Sequence, residues 1–325
     1  MTRWVAGIGS ALAVMLTLSG GAGAQDYPNR TVRIIVPFPA GGTADAMPRI
    51  VADFLTRKWG QSVIIENRAG AGGNIGGEAA FKSDPDGYTL FAAPPPPLVI
   101  NQNLYPKLPF DPLQFIPLAV MGKVPNAILA NSPRLKDAKT VADFVAFAKA
   151  NPGVLNSATQ GIGTTAHLTS ELFQQMAGVK FQHIHYRGSA PAVQDLVAGN
   201  VDVAFDNIGA AGSLIRAGTI RVLGVATENP IASLPGVPTV KATVPGFVVV
   251  TWFALVAPPK VPQAIVTKLH ADINEALNDP EVKKRLENLS AEVATVSLAE
   301  TAAFFKAEVE TWNTVIKQAN VKVEQ

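Results

Sequence analysis

Val32-Arg33-Ile34-Ile35-Val36-Pro37-Phe38-Pro39-Ala40-Gly41-Gly42-Thr43-Ala44-Asp45 decides the fold. Val32–Val36 is β-branched at every position but Arg33, close to the composition of a strand buried on both faces. Gly41-Gly42 breaks that strand, and Ala44–Trp59 then carries Met47, Ile50, Val51, Phe54 and Leu55 at helical spacing. Pro48 falls near enough to the helix start to be tolerated. Strand, glycine turn and helix in this order place the loop at the carboxyl end of a strand. There the free N–H groups of a helix start, with the helix dipole behind them, form an anion seat. The same residues fit an ordinary strand–helix turn capped by Thr43.

Outward from this stretch the two periods keep alternating. Val63–Ile65 reads as a strand, and the Gly-rich Ala69–Gly73 leads into a helix of small residues. Asp84-Pro85-Asp86-Gly87 is turn chemistry ahead of a strand at Tyr88–Ala92. Pro94–Pro97, four consecutive residues without an N–H, is expected as a stiff loop, neither helix nor inner strand. A second series begins near Ala127, with a helix at Val141–Ala150, a strand near Leu155–Ala158 and a helix from Thr164. A strand at Lys180–Tyr186, a helix at Ala190–Ala198 and strands at Val201–Phe205 and Arg221–Ala226 complete it. Thr251–Val256 leads back, the chain is helical from about Pro262, and Ser297-Leu298-Ala299-Glu300 is a capping box opening the last helix. The fold class is therefore α/β with mostly parallel sheets: two lobes around a deep crevice, with chain crossings near Ala127 and Phe253. Residues 25–127 and 254–325 form one lobe, and 128–253 the other.

Composition narrows the function. In 325 residues, 48% hydrophobic and 16% charged side chains exclude a disordered chain. Lys plus Arg is 27 against 25 Asp plus Glu, with no basic run and 7% aromatics, so no nucleic-acid partner is expected. The cysteine count is 0, which removes disulfides, thiolate metal sites and Cys nucleophiles together. Arg3 is the only charged side chain before Asp26, Ile8–Leu18 is mostly apolar, and Ala22-Gly23-Ala24 supplies small residues for cleavage before Gln25. Residues 1–24 thus read as the signal peptide of an exported protein; as a membrane anchor the stretch falls short of the ~20 apolar residues a span needs.

A second anion seat follows the logic of the first. Thr159-Gln160-Gly161-Ile162-Gly163-Thr164-Thr165-Ala166-His167 succeeds a strand and opens a helix. Gly161, Gly163 and Ala166 also match a dinucleotide fingerprint, but His185-Tyr186-Arg187 stands where that reading needs an acid, and no cofactor is expected. Gly70–Gly77 lacks the Lys-Ser or Lys-Thr of a phosphate loop, so Gly76 and Gly77 are read as close helix packing. His183 and His185 share one face of a strand at metal-ligand spacing, yet no nearby acid or His motif adds a ligand, and packed histidines are expected. His167, in the first turns of its helix, is expected to bond a loop carbonyl. Asp206-Asn207 either accepts from a ligand or from lobe-closing donors, or Asp206 caps a helix over Gly209–Ala217. Arg187 is placed to pair with a ligand carboxylate or with Asp206. No G-x-S-x-G elbow, H-E-x-x-H pair or acid–base dyad occurs, so an enzyme is not expected.

Six ordered motifs carry a family resemblance. They are Pro37-Phe38-x-x-Gly41-Gly42-x-x-Asp45, Glu66-Asn67-Arg68-Ala69-Gly70-Ala71-Gly72-Gly73 and Asp84-Pro85-Asp86-Gly87-Tyr88-Thr89-Leu90 in the first half. Gly161-x-Gly163-Thr164-x-x-His167-Leu168, Tyr186-Arg187-Gly188 and Gly199-x-Val201-Asp202-x-x-Phe205 follow. The chain resembles the extracytoplasmic solute receptors of tripartite tricarboxylate transporters, the Bug family. The resemblance implies a periplasmic-binding-protein-like, Venus-flytrap fold, without cofactor, expected as a monomer in the periplasm. It would close on a small carboxylate and deliver it to the membrane permease subunits of the transporter. A ligand-sensing co-receptor for a membrane sensor kinase fits the same residues.

By the same resemblance one ligand carboxylate falls to Phe38, Ala40, Gly41, Gly42 and Asp45, and a second polar end to Gly161, Thr164 and Thr165. Ala93, His185, Tyr186 and Asp206 complete the candidate ligand-binding set, with no metal among it. His185 replaces a residue commonly Pro in the family, and Pro94–Pro97 replaces a loop usually bearing Ser, Thr or Asn. Fewer hydroxyls and the Phe38 ring admit an aromatic acid such as terephthalate beside di- and tricarboxylates.

Overall fold

A computed structural model describes residues 27–321. The export-signal reading of 1–24 lies outside the described residues. Among those described, no helix is long and apolar enough to cross a membrane.

The strands are β1 (Val32–Val36), β2 (Val63–Asn67), β3 (Thr89–Ala93), β4 (Ile116–Ala130), β5 (Asn156–Thr159), β6 (Gln182–His185), β7 (Val203–Asn207), β8 (Arg221–Val225) and β9 (Val250–Ala257). The helices are α1 (Thr43–Trp59), α2 (Asn74–Phe81), α3 (Asn101–Leu104), α4 (Val141–Ala150), α5 (Thr165–Ala177), α6 (Ser189–Ala198), α7 (Gly212–Arg216), α8 (Gln263–Asn278), α9 (Pro280–Glu287) and α10 (Leu298–Ala319). The strands hydrogen-bond in the order β2-β1-β3-β9-β4-β7-β5-β6, with β8 also on β4. β2-β1-β3 and β6-β5-β7 are parallel, as the alternating pattern predicts. The strands between them are not: β9, β4 and β8 run antiparallel to their partners.

β4 is the shared element. It pairs with β9 from Ile116 to Pro125, then with β7 from Asn126 to Ala130. Pro117, Gly122 and Pro125 interrupt its apolar pattern, and the register slips between Pro117 and Ala119 and between Val120 and Gly122, which is why a strand this long does not read out of the sequence. The half of the sheet formed by β1–β3, β9 and the first part of β4 is called lobe I below, and the half formed by β5–β8 and the rest of β4 lobe II.

Both faces of the inner strands are covered, so their side chains alternate between two cores, while the edge strands β2 and β6 stay partly exposed. Val32, Ile34 and Val36 of β1 enter one core with Leu90 and Ala92 of β3, while Ile35, Phe91 and Ala93 enter the other. α10 packs on β4, on α5 of lobe II and on 96–100 of lobe I, so the last helix touches both lobes. Trp252 and Trp312 both donate to Glu308 (2.6 and 3.1 Å), which ties α10 to β9.

The proline run departs from its expectation. Pro94–Pro97 is not a loop throughout: Pro96 and Pro97 open a π-type helical segment, Pro96–Ile100, that continues into α3. The first turn of a helix leaves its N–H groups unpaired in any case, so two prolines there forfeit nothing. The N–H groups of Leu98, Val99 and Ile100 all reach Pro95 O instead.

The glycines of α2 behave as read. A Cβ at Gly76 would stand 2.9 Å from Pro37 Cα and 3.0 Å from Arg68 O, both backbone atoms that cannot turn aside. Gly76→Ala is expected to lower stability by about 1–3 kcal/mol, more than the ~1 kcal/mol of helix propensity it gains. Thermal unfolding of the two proteins checks this.

Candidate functional site

The carboxyl ends of β1, β2 and β3 in lobe I face those of β5, β6 and β7 in lobe II, where an open α/β sheet places ligands. Between them lies a cavity of about 690 Å³. Its lobe I wall is Phe38, Pro39, the loop Ala69–Gly73, Ile75 and Tyr105, and its lobe II wall is Gln160, Gly161, Ile162, Tyr186 and Arg187. Phe38, Pro39 and Gln160 also line a smaller pocket of about 20 Å³ deeper in, with Gly42, Thr43, Ala44, Pro94, Thr165, Ser189, Asn207, Thr251 and Phe253.

Three helix starts converge on the deeper pocket. α1 begins after Gly42, which takes the N-cap place (φ −89°, ψ 172°) without a side-chain cap; Thr43 is therefore the first helical residue and not the cap. α5 begins after Thr164, and α6 after Gly188. The first N–H groups of each, those of Thr43 and Ala44, Thr165 and Ala166, and Ser189 and Ala190, have no acceptor among the described residues. Each helix end carries roughly half a positive charge. No charged side chain lines this pocket. The sequence predicts this helix at Ala190–Ala198 but does not mark its start as an anion seat; Gly188, like Gly42, takes the N-cap place without a side-chain cap.

A scaffold behind the wall holds these loops. Asp45 is buried and faces away from the cavity: its carboxylate takes Arg49 in a bidentate pair (2.7 and 2.9 Å), Asn67 Nδ2 (2.9 Å) and the Gly41 N–H (3.1 Å). Burial alone would raise Asp45, and the Arg49, Asn67 and Gly41 bonds outweigh it, holding the acid below the usual carboxylate range. Asn67 Nδ2 also reaches Phe38 O at 2.9 Å, so the end of β2 fixes the β1–α1 loop. Thr164 spends its hydroxyl on the loop, donating to Gly161 O (2.7 Å) and accepting from His167 N (3.4 Å).

Asp206 is likewise behind the wall and is no cap for α7. It accepts from Ser189 Oγ (2.5 Å), from Asn207 N (2.6 Å) and from Gln160 Nε2, orienting residues that do line the pocket. Arg187 does not pair with it. Burial pushes Asp206 up to about 6 despite those bonds, against an ordinary value of 3.8. A carboxyl raised by folding favours the folded state while protonated, so this contribution is lost as pH rises through about 6. Relative to Asp206→Asn, the parent chain is expected to gain stability as pH falls from about 6 towards 3.8, measured by denaturant unfolding.

Of the other residues singled out in the sequence, Phe38, Gly161 and Tyr186 line the cavity, and Phe38, Gly42 and Thr165 line the smaller pocket. Tyr186 donates to Asp195 at 2.6 Å, and burial together with that carboxylate pushes its phenol up to about 12. Ala40 and Gly41 sit exposed beside the cavity without lining it. Ala93 is buried in the core, and the lining position is the next residue, Pro94. His185 lies outside the lining on the edge strand β6, its Nδ1 on Thr159 Oγ1 at 2.7 Å.

The lobes touch around the cavity. Thr43 Oγ1 donates to Asn207 Oδ1 at 2.6 Å, a buried bond from α1 of lobe I to β7 of lobe II. Gly188 (φ +113°) admits Pro39, whose Cδ lies 3.0 Å from where a Cβ would stand. Gly163 (φ +76°) does the same for Leu104, at 2.6 Å. Both need glycine twice over, for the left-handed backbone and for the close approach.

The histidines depart from expectation. The N–H of Gly163 donates to His167 Nδ1 at 3.1 Å, so His167 accepts from the loop rather than bonding a carbonyl. Burial, with His183 and His185 nearby, pushes His167 down to about 4. His167 and Glu171, one helical turn apart on α5, meet His183, so the strand pair does have an acid and a third imidazole beside it. Distant residues brought together by β6 packing against α5 have no local signature.

The sequence profile of the tripartite tricarboxylate transporter family receptor matches residues 47–321. BugT of Bordetella pertussis is 37% identical over 329 residues, covering 99% of this chain and 99% of BugT. Rpa4515 of R. palustris, solved with adipate, is 34% identical with a TM-score of 0.88, over 91% of this chain and 99% of that one. MatC of Rhodopseudomonas palustris, with bound malate, is 31% identical with a TM-score of 0.84, over 89% of this chain and 100% of that one. The chain belongs to the tripartite tricarboxylate transporter receptor family, the Bug solute-binding proteins, and is a receptor rather than an enzyme.

Proposed function

We propose that this protein captures a small carboxylic acid between its lobes in the periplasm and presents it to the membrane permease of a tripartite transporter. The observation that carries this reading is the convergence of the α1, α5 and α6 starts on one pocket with no charged side chain in its lining. Backbone N–H groups and neutral hydroxyls hold an anion without burying a counter-charge, which suits release as well as capture. Phe38, Pro94 and Phe253 add an apolar band, which fits an acid whose carboxyl groups are separated by a hydrocarbon spacer, aliphatic or aromatic. Solved relatives holding adipate and malate support the same class.

In this reading 25–127 and 254–325 move against 128–253, Phe38, Gly42 and Thr165 contact the ligand, and Asp45, Thr164 and Asp206 position what does. Thermal unfolding against citrate, malate, adipate, terephthalate and nicotinate tests it. An acid at about 100 times its Kd stabilises by roughly 2.7 kcal/mol. One or more clear risers are expected, and a folded protein indifferent to every acid would oppose the proposal. Thr43→Val keeps the shape but leaves Asn207 Oδ1 unpaired in the closed form, at about 1–3 kcal/mol. Ligand affinity is expected to fall about 5- to 150-fold, read by calorimetric titration.

A further inference from the structure

Three of the chain's 4 histidines gather on one side of lobe II, around Glu171. Glu171 Oε1 stands 3.1 Å from His183 Nδ1 and 3.7 Å from His167 Nε2, and one ligand atom from each residue lies within 4.8 Å of the others. Ligands about 2.0–2.1 Å from one tetrahedral zinc are roughly 3.3–3.4 Å apart, so the group needs only a small contraction. Outer bonds already aim two of the three. Glu171 Oε2 takes Gln174 Nε2 at 3.1 Å, leaving Oε1 towards the imidazoles. The carboxylate 3.1 Å from His183 Nδ1 calls for the ring proton on Nδ1 in the metal-free protein, with Nε2 2.9 Å from Ser170 Oγ; a metal at Nδ1 displaces that proton to Nε2, where the Ser170 hydroxyl oxygen accepts it.

The geometry points to a divalent transition-metal site on this side of lobe II, with His183 Nδ1, Glu171 Oε1 and His167 Nε2 as ligands. Two imidazoles and one carboxylate select Zn²⁺, Ni²⁺ or Cu²⁺ over Mg²⁺ or Ca²⁺. The Glu171 side chain is 30% exposed, which leaves a path for the ion and room for water in the fourth position. His167 links the site to the cleft. Its Nδ1 accepts the Gly163 N–H, so the ring proton sits on Nε2. Coordination at Nε2 moves that proton to Nδ1, which then donates, and the Gly163 bond is given up. The site stands independently of which solute the cleft takes.

The test is calorimetric titration of the tag-free chain with Zn²⁺, alongside the visible spectrum of the Co²⁺-loaded protein and the amide NMR signal of Gly163. One Zn²⁺ per chain, the bands of four-coordinate Co²⁺ and a displaced Gly163 signal are expected. His183→Gln and Glu171→Gln should each weaken binding at least about 10-fold. His270→Gln, whose ring bonds Leu118 O and Asn274 in lobe I, should leave it unchanged. No saturable uptake by the parent chain, uptake indifferent to both cluster variants, or binding that leaves Gly163 in place would overturn the assignment. Because the Co²⁺ spectrum and Gly163 are read on the parent chain, a variant that fails to fold does not blunt the test.

Discussion

Thr165→Asp is expected to weaken carboxylate binding by more than about 100-fold in a chain that still folds. Thr165 is the first residue of α5, is 3% exposed and lines the deeper pocket where the three helix starts meet. A carboxylate on the first turn of a helix is favourable by about 0.3–1 kcal/mol, so the substitution satisfies the end it occupies. It also fills the seat with a tethered anion and meets an incoming carboxylate with like charge. Two like charges about 4 Å apart at an effective dielectric of 20 repel by ~4 kcal/mol, well over the 2.7 kcal/mol that corresponds to 100-fold. Thermal unfolding and ligand titration on the same sample separate the two effects. Binding near the parent level in the folded variant would mean that the convergent helix starts do not hold the anion.

Gly42→Leu attacks the same pocket through space instead of charge. The Gly42 backbone is extended, a conformation any residue adopts, so the exchange itself introduces no strain. It does replace a good N-cap residue with a poor one, at about 1 kcal/mol. A Cβ at this position would lie 3.4 Å from Ser189 Cβ of the facing lobe, and the rest of a leucine would have to enter the pocket or hold the lobes apart. Ligand binding is expected to fall below detection, with Gly42→Ala intermediate. Titration of both variants, checked for folding by circular dichroism, reads the gradation.

The first half of the site was legible because its elements are local. Val32–Val36, the glycine turn and Thr43–Trp59 follow from β-branching, a glycine pair and one helical stripe, and the Thr159–His167 turn follows the same logic. The convergence itself was only half legible: the helix at Ala190–Ala198 follows from the sequence, but that its start meets those of α1 and α5 is fixed only by tertiary packing. Two candidate ligand residues, Asp45 and Asp206, spend their carboxylates on the scaffold beside the pocket, and nothing in a linear pattern separates a residue that touches a ligand from one that holds the residue that does. The Arg49 and Asn67 partners that settle Asp45, like the Gln160 and Ser189 partners of Asp206, are fixed only by tertiary packing. β4 was missed for the opposite reason: its prolines and glycine are local signals against a strand, overridden by pairing with β9 and β7.

The most direct measurement is a crystal structure of the protein with the tightest-binding acid of the unfolding panel. A ligand carboxylate within hydrogen-bond reach of the free N–H groups of Thr43 and Ala44, or of Thr165 and Ala166, with its hydrocarbon body against Phe38, is the expected result. A carboxylate held instead by Arg187 at the outer cavity, with the helix starts facing only water, would contradict the account.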